Sequence, residues 1–520
     1  MNHEKITGIT FKNWFINAYI DLEKNKALLK SLAVTDVEKT DINNVSYCMK
    51  NIVQGLENIP EDADCIWVLD VATQIAKDTA NSSTSLHLYQ YLIYALKEFK
   101  SVLTPVDVIE IVSRLSEKAK EEILNNDEIT IADIFVTAKE QCDFLDTVLD
   151  IESTCQCLIT ASQIVLMETQ NQYQKVDYKI ALACIIFSAL EYAWKEKEFT
   201  SNVVSEMISN MLKSASTNSD KTKVKECEFE IIYSIETTLE NMEKIKKNIG
   251  RTGAKSLIVG ECGPFDIGNW TILSETKTPL MILPLKTPFK NLRLQTTRPI
   301  KLDTYSNITQ ENSNVISIFE KIKPQVADKP KNDIAIISAV QNLPLLEPIS
   351  RTNATVVYKP DDSEVIQNII EVLETEYIVL MPSNEKDMLL MRRAFELSSK
   401  NEKIIIAETK NDLEIKYLSE EIAMRPEVIK ECTDINSVEK YMKTTLAKQR
   451  TLTLRNEYEN IDDSIINFID DSDTRISVLV DAKEVVFLQQ RIEQIIYNKN
   501  PNIQLEIIVS NSGELVINAH

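Results

Sequence analysis

Glycine is nearly missing from this chain, with 8 in 520 residues, and only Gly8 and Gly55 fall within the first 249. Backbone that must take positive φ, or lie directly against another backbone or a phosphate, depends on a residue without a Cβ. A chain this poor in glycine is suited to helices joined by ordinary turns. A glycine-rich phosphate-binding loop has no material in its first half.

The chain has Lys+Arg 57 against Asp+Glu 79, a net charge of −22, and is 44% hydrophobic. That apolar content is enough for several packed cores, and the length suggests about three domains at roughly 100 to 200 residues each. Nucleic acids and anionic membranes both reward a basic surface, so neither is expected as a partner. The short basic run Lys244 to Lys247 reads as a solvated helix face. The opening Met1-Asn2-His3-Glu4-Lys5 has no apolar h-region, and Ile180 to Leu190 is far shorter than the roughly 20 residues a spanning helix needs. No integral membrane contact is expected, and a cytoplasmic location is. The nine cysteines include no Cys-x-x-Cys; Cys155 and Cys157 read as helix positions, and all nine as reduced thiols.

Residues 1–212 read as a run of helices, because apolar residues recur at three and four with little Gly or Pro. Ser85 to Phe99 sets a broad apolar stripe, and Asp107 to Ile123 and Tyr178 to Trp194 behave alike. Ser214 to Lys223 has linker composition. A small α/β domain, 224–320, is expected next, with strands at Glu228 to Ser234 and Ser256 to Val259 around a helix at Thr238 to Asn248. Lys321 to Asn332 forms a second linker. In 332–520, Ile334 to Ile337, Thr355 to Tyr358, Tyr377 to Met381 and Ile404 to Ala407 read as buried strands, with helices near 364–374 and 385–399 between the later ones. Such alternation implies βαβ units and a largely parallel sheet. Arg475 to Val480, Val485 to Tyr497 and Gln504 to Val509 form one more strand-helix-strand unit before a final strand, Glu514 to Asn518.

This order of parts resembles the large subunit of bacterial fatty acid kinase: a DhaL-type (dihydroxyacetone kinase, DAK2) helical barrel, a middle α/β domain, and a DegV-like α/β end. The opening Ile6-Thr7-Gly8-Ile9-Thr10-Phe11-Lys12, then Leu22 to Lys26 and Leu32-Ala33-Val34, is similar to the family's first helix and its approach to the metal loop. Tyr377 to Leu390, with Pro382 and Asn384, and Thr409-Lys410 are similar to elements of its last domain.

The resemblance implies a kinase using ATP and Mg²⁺, a homodimer, and a DegV-type fatty-acid-carrying partner. Its functional residues are largely replaced. Where the family reads Pro-Val-Pro-Asp-Gly-Asp-Thr-Gly, this chain has Asp36 to Asn43, so Asp41 alone keeps a motif carboxylate and Lys39 puts a cation beside it. Mg²⁺ wants hard oxygen ligands, and a nearby ammonium repels it. Asp36 and Glu38 are the available substitutes. The family's Arg-Gly-Asn-Ser-Gly is similar to Thr79-Ala80-Asn81-Ser82-Ser83, which keeps Asn81 and Ser82 but neither glycine, and which a helix N-cap explains equally well. Its Glu-Gly-Thr becomes Glu128-Ile129-Thr130, and its Val-Asp-Ala-Gly-Gly becomes Val176-Asp177-Tyr178-Lys179-Ile180. Cys227 matches the family's middle-domain cysteine with a one-residue departure, and the family's His-Val-His strand has no counterpart among His3, His87 and His520. Asp361-Asp362-Ser363 reads as a helix cap before Glu364.

The reading that follows is a degenerate family member, a pseudokinase retained as a binding, scaffold or regulatory protein. Its vestigial nucleotide and metal site is Asp41, Asn81, Ser82 and Asp177, with no catalytic residue, cofactor or metal assigned unless Asp41 holds one. Two alternatives stand beside it. One is an active ATP-dependent acyl kinase with a rebuilt site acting on fatty acid carried by the DegV-type partner. The other is a structural or assembly protein sharing only the architecture.

Overall fold

The computed structural model describes residues 5–123, 129–145, 150–173, 176–193, 204, 206–208, 211, 228–263, 266–284, 286–297, 334–432, 434–455, 461–470, 472–510 and 514–520. Cys227 and both expected linkers lie outside the described residues. The chain divides into two compact units, Met1–Glu226 with Leu257–Glu261, and Cys227–Ser256 with Cys262–His520.

The first unit is helical. Its helices are α1 (Gly8–Leu32), α2 (Asp36–Glu57), α3 (Cys65–Thr79), α4 (Ser83–Leu96), α5 (Pro105–Ile123), α6 (Ile131–Asp143), α7 (Ile151–Tyr173) and α8 (Tyr178–Ser188). Short polar side chains start most of them. Thr35, Asp64, Ser82, Thr130 and Asp177 each accept a bond from a first-turn amide, filling donors the helix leaves open.

Neighbouring helices run antiparallel. Lys12 Nζ reaches the carbonyls of Glu57 and Ile59, whereas Lys26, near the far end of α1, reaches Ser46. Each helix packs on the next and α8 packs back on α1, so the eight form a closed ring. Three side chains of α1 seal the closure: Trp14 Nε1 donates to Ile186 O at 2.8 Å, Asn17 to Tyr192 O and Asn13 to Ala193 O. Helices α2, α4 and α8 therefore begin at one end of the ring, and α1, α3 and α5 at the other.

Both glycines of the eight-helix ring serve helix packing. A Cβ on Gly8 would stand 2.1 Å from Ala63 O and 2.8 Å from Asp64 O, so α1 begins where only glycine fits. On Gly55 it would meet the tip of the Ile75 side chain at 2.3 Å, a group that can rotate away.

The chain after the helical region is α/β. Its strands are β1 (Phe229–Thr238), β2 (Lys255–Cys262), β3 (Ile267–Thr276), β4 (Phe289–Thr296), β5 (Ile334–Val340), β6 (Ala354–Tyr358), β7 (Tyr377–Met381), β8 (Ile404–Ile406), β9 (Arg450–Arg455), β10 (Arg475–Asp481), β11 (Gln504–Ser510) and β12 (Glu514–Ala519). The first eight form one mixed sheet in the order β2-β3-β1-β4-β6-β5-β7-β8. β5 to β8 are mutually parallel, as their βαβ pattern implies, and β4 joins them to the antiparallel half through Arg293↔Val357 and Leu294↔Val356. The last four form a separate sheet, β11-β10-β12-β9, in which β10 and β11 are parallel across the helix Val485–Lys499.

β3, β4 and β9 have no expected counterpart. Their sequences, such as Phe-Lys-Asn-Leu-Arg-Leu-Gln-Thr in β4, alternate polar and apolar residues instead of forming the apolar runs used to find the buried strands.

Gly8→Ala should lower unfolding stability by about 2 kcal/mol or more, because the obstacle is backbone, while Gly55→Ala should cost less than about 1 kcal/mol. Urea denaturation of both variants checks this ordering, and equal losses would contradict it.

Candidate functional site

Asp41 lies one turn into α2 and is 4% exposed. Its Oδ2 accepts from Thr84 Oγ1 at 2.8 Å and from the Tyr178 hydroxyl at 2.8 Å, and its Oδ1 accepts from Thr84 N at 3.4 Å. Thr84 and Tyr178 are themselves buried, in the first turns of α4 and α8. Burial, and then the neighbouring Asp41 charge, hold the Tyr178 phenol well above its ordinary pKa, so it stays a donor. Lys179 Nζ donates to Ser83 Oγ at 3.0 Å across the same end.

The structure thus brings the expected site residues to one end of the ring and gives them structural partners. Asp177 Oδ1 caps α8, accepting from Lys179 N at 2.7 Å and Ile180 N at 3.2 Å. Ser82 caps α4 in a reciprocal pair with Ser85, whose Oγ also accepts from Asn81 N at 3.2 Å. Of the two substitutes, Glu38 closes a capping box by accepting from Val34 N and Thr35 N, and Asp36 pairs with Lys39 at 3.0 Å on the surface. Thr84 lies beyond the motif, and nothing local in the sequence marks it as the partner of Asp41.

Beside this cluster the ring lines a partly open cavity of about 140 Å³, with walls that are apolar almost throughout. Every helix contributes: Trp14, Val45, Leu69, Leu92, Val112, Phe135, Leu158 and Ile186 come from α1 to α8 in turn. Thr84 and His87 line it near the Asp41 end, and Ile6, Phe99 and Leu103 near the other. The polar atoms of His87 face away from it. Nδ1 sits 2.9 Å from Ser83 O and Nε2 2.9 Å from Glu122 Oε1, while Tyr91 donates to the other Glu122 oxygen at 3.3 Å. Burial works against the Glu122 charge, but the bonds from His87 and Tyr91 overcome it and hold its pKa below the ordinary value.

The second unit has a polar cluster of its own. In the order β6-β5-β7-β8 the connections reverse between β5 and β7, where open α/β sheets form a crevice at the strands' carboxyl ends. There Asp412, fully buried, accepts from Gln341 N and from the main-chain and side-chain nitrogens of Asn342 at 2.8 to 3.1 Å. Asp387 Oδ2 accepts from Gln341 Nε2, Ser383 Oγ and Asn384 Nδ2. The family-like residues lock these loops: Asn384 caps the helix Glu385–Leu397, and Thr409 Oγ1 donates to Pro382 O at 2.6 Å. Asp362 caps Ser363–Val372, as its sequence implies. Gln341, Asp387 and Asp412 were not singled out from sequence; the helix-start patterns Asn384-x-x-Asp387 and Asn411-Asp412 were the available signal.

No family model matches the chain, and no curated protein matches it.

Desolvation, opposed by bonds from Asn342 and Gln341, pushes Asp412 up from 3.8 to about 6. A raised carboxyl pKa favours the protonated folded state, so its stabilisation is fully present below about 3.8 and is lost as pH rises through about 6. The difference amounts to roughly 3 kcal/mol at neutral pH. The stability of wild type relative to Asp412→Asn should therefore fall between pH 4 and pH 7 in urea titrations, and a flat difference would contradict the assignment.

Proposed function

We propose that this chain is a degenerate relative of the DhaL-type fatty acid kinase large subunit, and that its helical ring is a non-catalytic binding module for an apolar molecule. The observation that carries the reading is the fate of Asp41. Both of its oxygens are spent on Thr84 and Tyr178 inside the fold. Such a carboxylate fits a structural anchor and does not fit a magnesium ligand, which needs lone pairs open toward phosphate. Glu38 and Asp177 are likewise spent on helix amides. Phosphoryl transfer rests on positioning and charge neutralisation, and among the described residues this end of the ring offers no glycine turn for it, while its buried carboxylates Asp41 and Glu38 are already occupied.

The binding half of the proposal rests on the cavity. An empty apolar space of about 140 Å³ costs roughly 3 kcal/mol at about 24 cal/mol per Å³. Walls without free polar groups select by shape and apolar area, so the ligand class is a compact hydrocarbon group or the apolar segment of a larger molecule. A DegV-type partner and a homodimer are the assemblies the resemblance implies.

Titration with the fluorescent apolar probe 1-aminoanthracene should give saturable binding that is lost in the cavity-filling variant Val112→Trp, while calorimetry with Mg-ATP should give no heat. Magnesium-dependent ATP binding abolished by Asp41→Ala would overturn the non-catalytic reading. Probe binding unchanged in Val112→Trp would overturn the cavity assignment.

A further inference from the structure

The end of the ring opposite Asp41 is tied together by backbone. Ile6 and Leu103 exchange bonds of 2.8 and 2.9 Å, Cys65 N donates to Ser101 O at 3.0 Å, and Gly8 abuts the carbonyls of Ala63 and Asp64. These contacts gather the first turns of α1, α3 and α5. Their neighbours Ile9, Ile66, Trp67, Val102 and Val106 are 37%, 41%, 50%, 37% and 61% exposed. Helix first turns are normally dressed in polar residues, so four large apolar side chains in three first turns, with Val102 just before α5, form a patch of the kind that marks a contact site.

The charge around the patch says what fits it. The stretch 51–76, which contains Ile66 and Trp67, has no lysine or arginine and five carboxylates: Glu57, Glu61, Asp62, Asp64 and Asp70. All five are exposed. Glu110, one turn beyond Val106, is exposed as well; of the cations at this end Lys100 is committed to Asp107, Lys12 donates to the carbonyls of Glu57 and Ile59, and Lys5 is exposed beside Ile6, so the carboxylates outnumber them. An anionic bilayer, or the same face of a second copy, would bring like charge against these carboxylates.

We propose that this end is a docking surface for a basic amphipathic helix of a protein partner, with Trp67 and Val106 as anchors and the surrounding carboxylates pairing its lysines and arginines. Exposed tryptophan is the side chain most often found at the energetic centre of such contacts. The surface lies at the opposite end of the ring from the Asp41 cluster, and its five apolar side chains are not among those that line the cavity.

The test uses the full chain and an 18-residue fluorescein-labelled Leu/Lys amphipathic peptide, read by anisotropy. The peptide should bind, with affinity falling roughly tenfold or more in Trp67→Ser/Val106→Ser. Asp62→Asn/Asp70→Asn should weaken binding and flatten its salt dependence, and these exposed positions spare the Asp64 cap. A Leu/Glu peptide should not bind. Equal affinity of the apolar double variant, or equal binding of the Leu/Glu peptide, would overturn the proposal. So would recruitment to phosphatidylglycerol vesicles, or self-association in sedimentation, that disappears in Trp67→Ser, since either would identify a different occupant.

Discussion

The buried carboxylate of Asp41 joins three helices that are remote in sequence. Its acceptor oxygens take Thr84 from α4 and Tyr178 from α8, contacts separated by 43 and 137 residues. A carboxylate this deep is tolerable only when donors replace its water, and removing one leaves the rest of the cost in place. The starts of α2, α4 and α8 are therefore fixed relative to one another by a group that cannot be left half satisfied. Trp14, Asn13 and Asn17 do the complementary job at the far end of α8, where they donate to the carbonyl of Ile186 and, in the turn that follows the helix, to those of Ala193 and Tyr192. With both ends of α8 held, the ring closes, and the cavity exists because the ring closes.

What could be read from the sequence was local. Thr238, Asp362, Asn384 and Asp177 stand where a short polar side chain precedes an amphipathic run, and each caps the helix it announces. The apolar runs of β5, β6 and β7 were legible because a strand buried on both faces has no polar alternation. The helical and α/β halves could be told apart for the same reason. The pairing of Asp41 with Thr84 left no trace, because a threonine in a first helical turn is ordinary and its partner lies on another helix. Nor does any pattern in Leu292 to Leu294 announce that β4 will pair with β6, since register between distant strands is set by tertiary packing.

The glycine shortage takes on a different meaning once each position is placed. Asp266, Asn291, Asn353 and Lys359 all have positive φ, between 44° and 67°, where glycine would be the easiest residue. Aspartate and asparagine tolerate that region through short polar side chains, and Lys359 accepts its strain. Gly8, by contrast, sits where even one methyl group would strike backbone. Gly8 thus stands where close approach demands glycine and Gly253 where a positive φ of 73° favours it, while four other positive-φ positions manage without it. The scarcity of glycine around Asp41 matches the rest of the chain, and what distinguishes that end is the hydrogen bonding of Asp41, Glu38 and Asp177.

The closed polar end and the apolar interior are connected by solvation. An open phosphate site would admit water beside Thr84 and His87, at the edge of the cavity. Tyr178 fills that position with a ring whose hydroxyl is committed to Asp41, while His87 turns both nitrogens toward Ser83 and Glu122. Polar groups paired in this way offer water no partner, and a cavity whose walls cannot hydrogen-bond stays dry. The side chains that close the polar end of the ring thereby also keep its interior apolar.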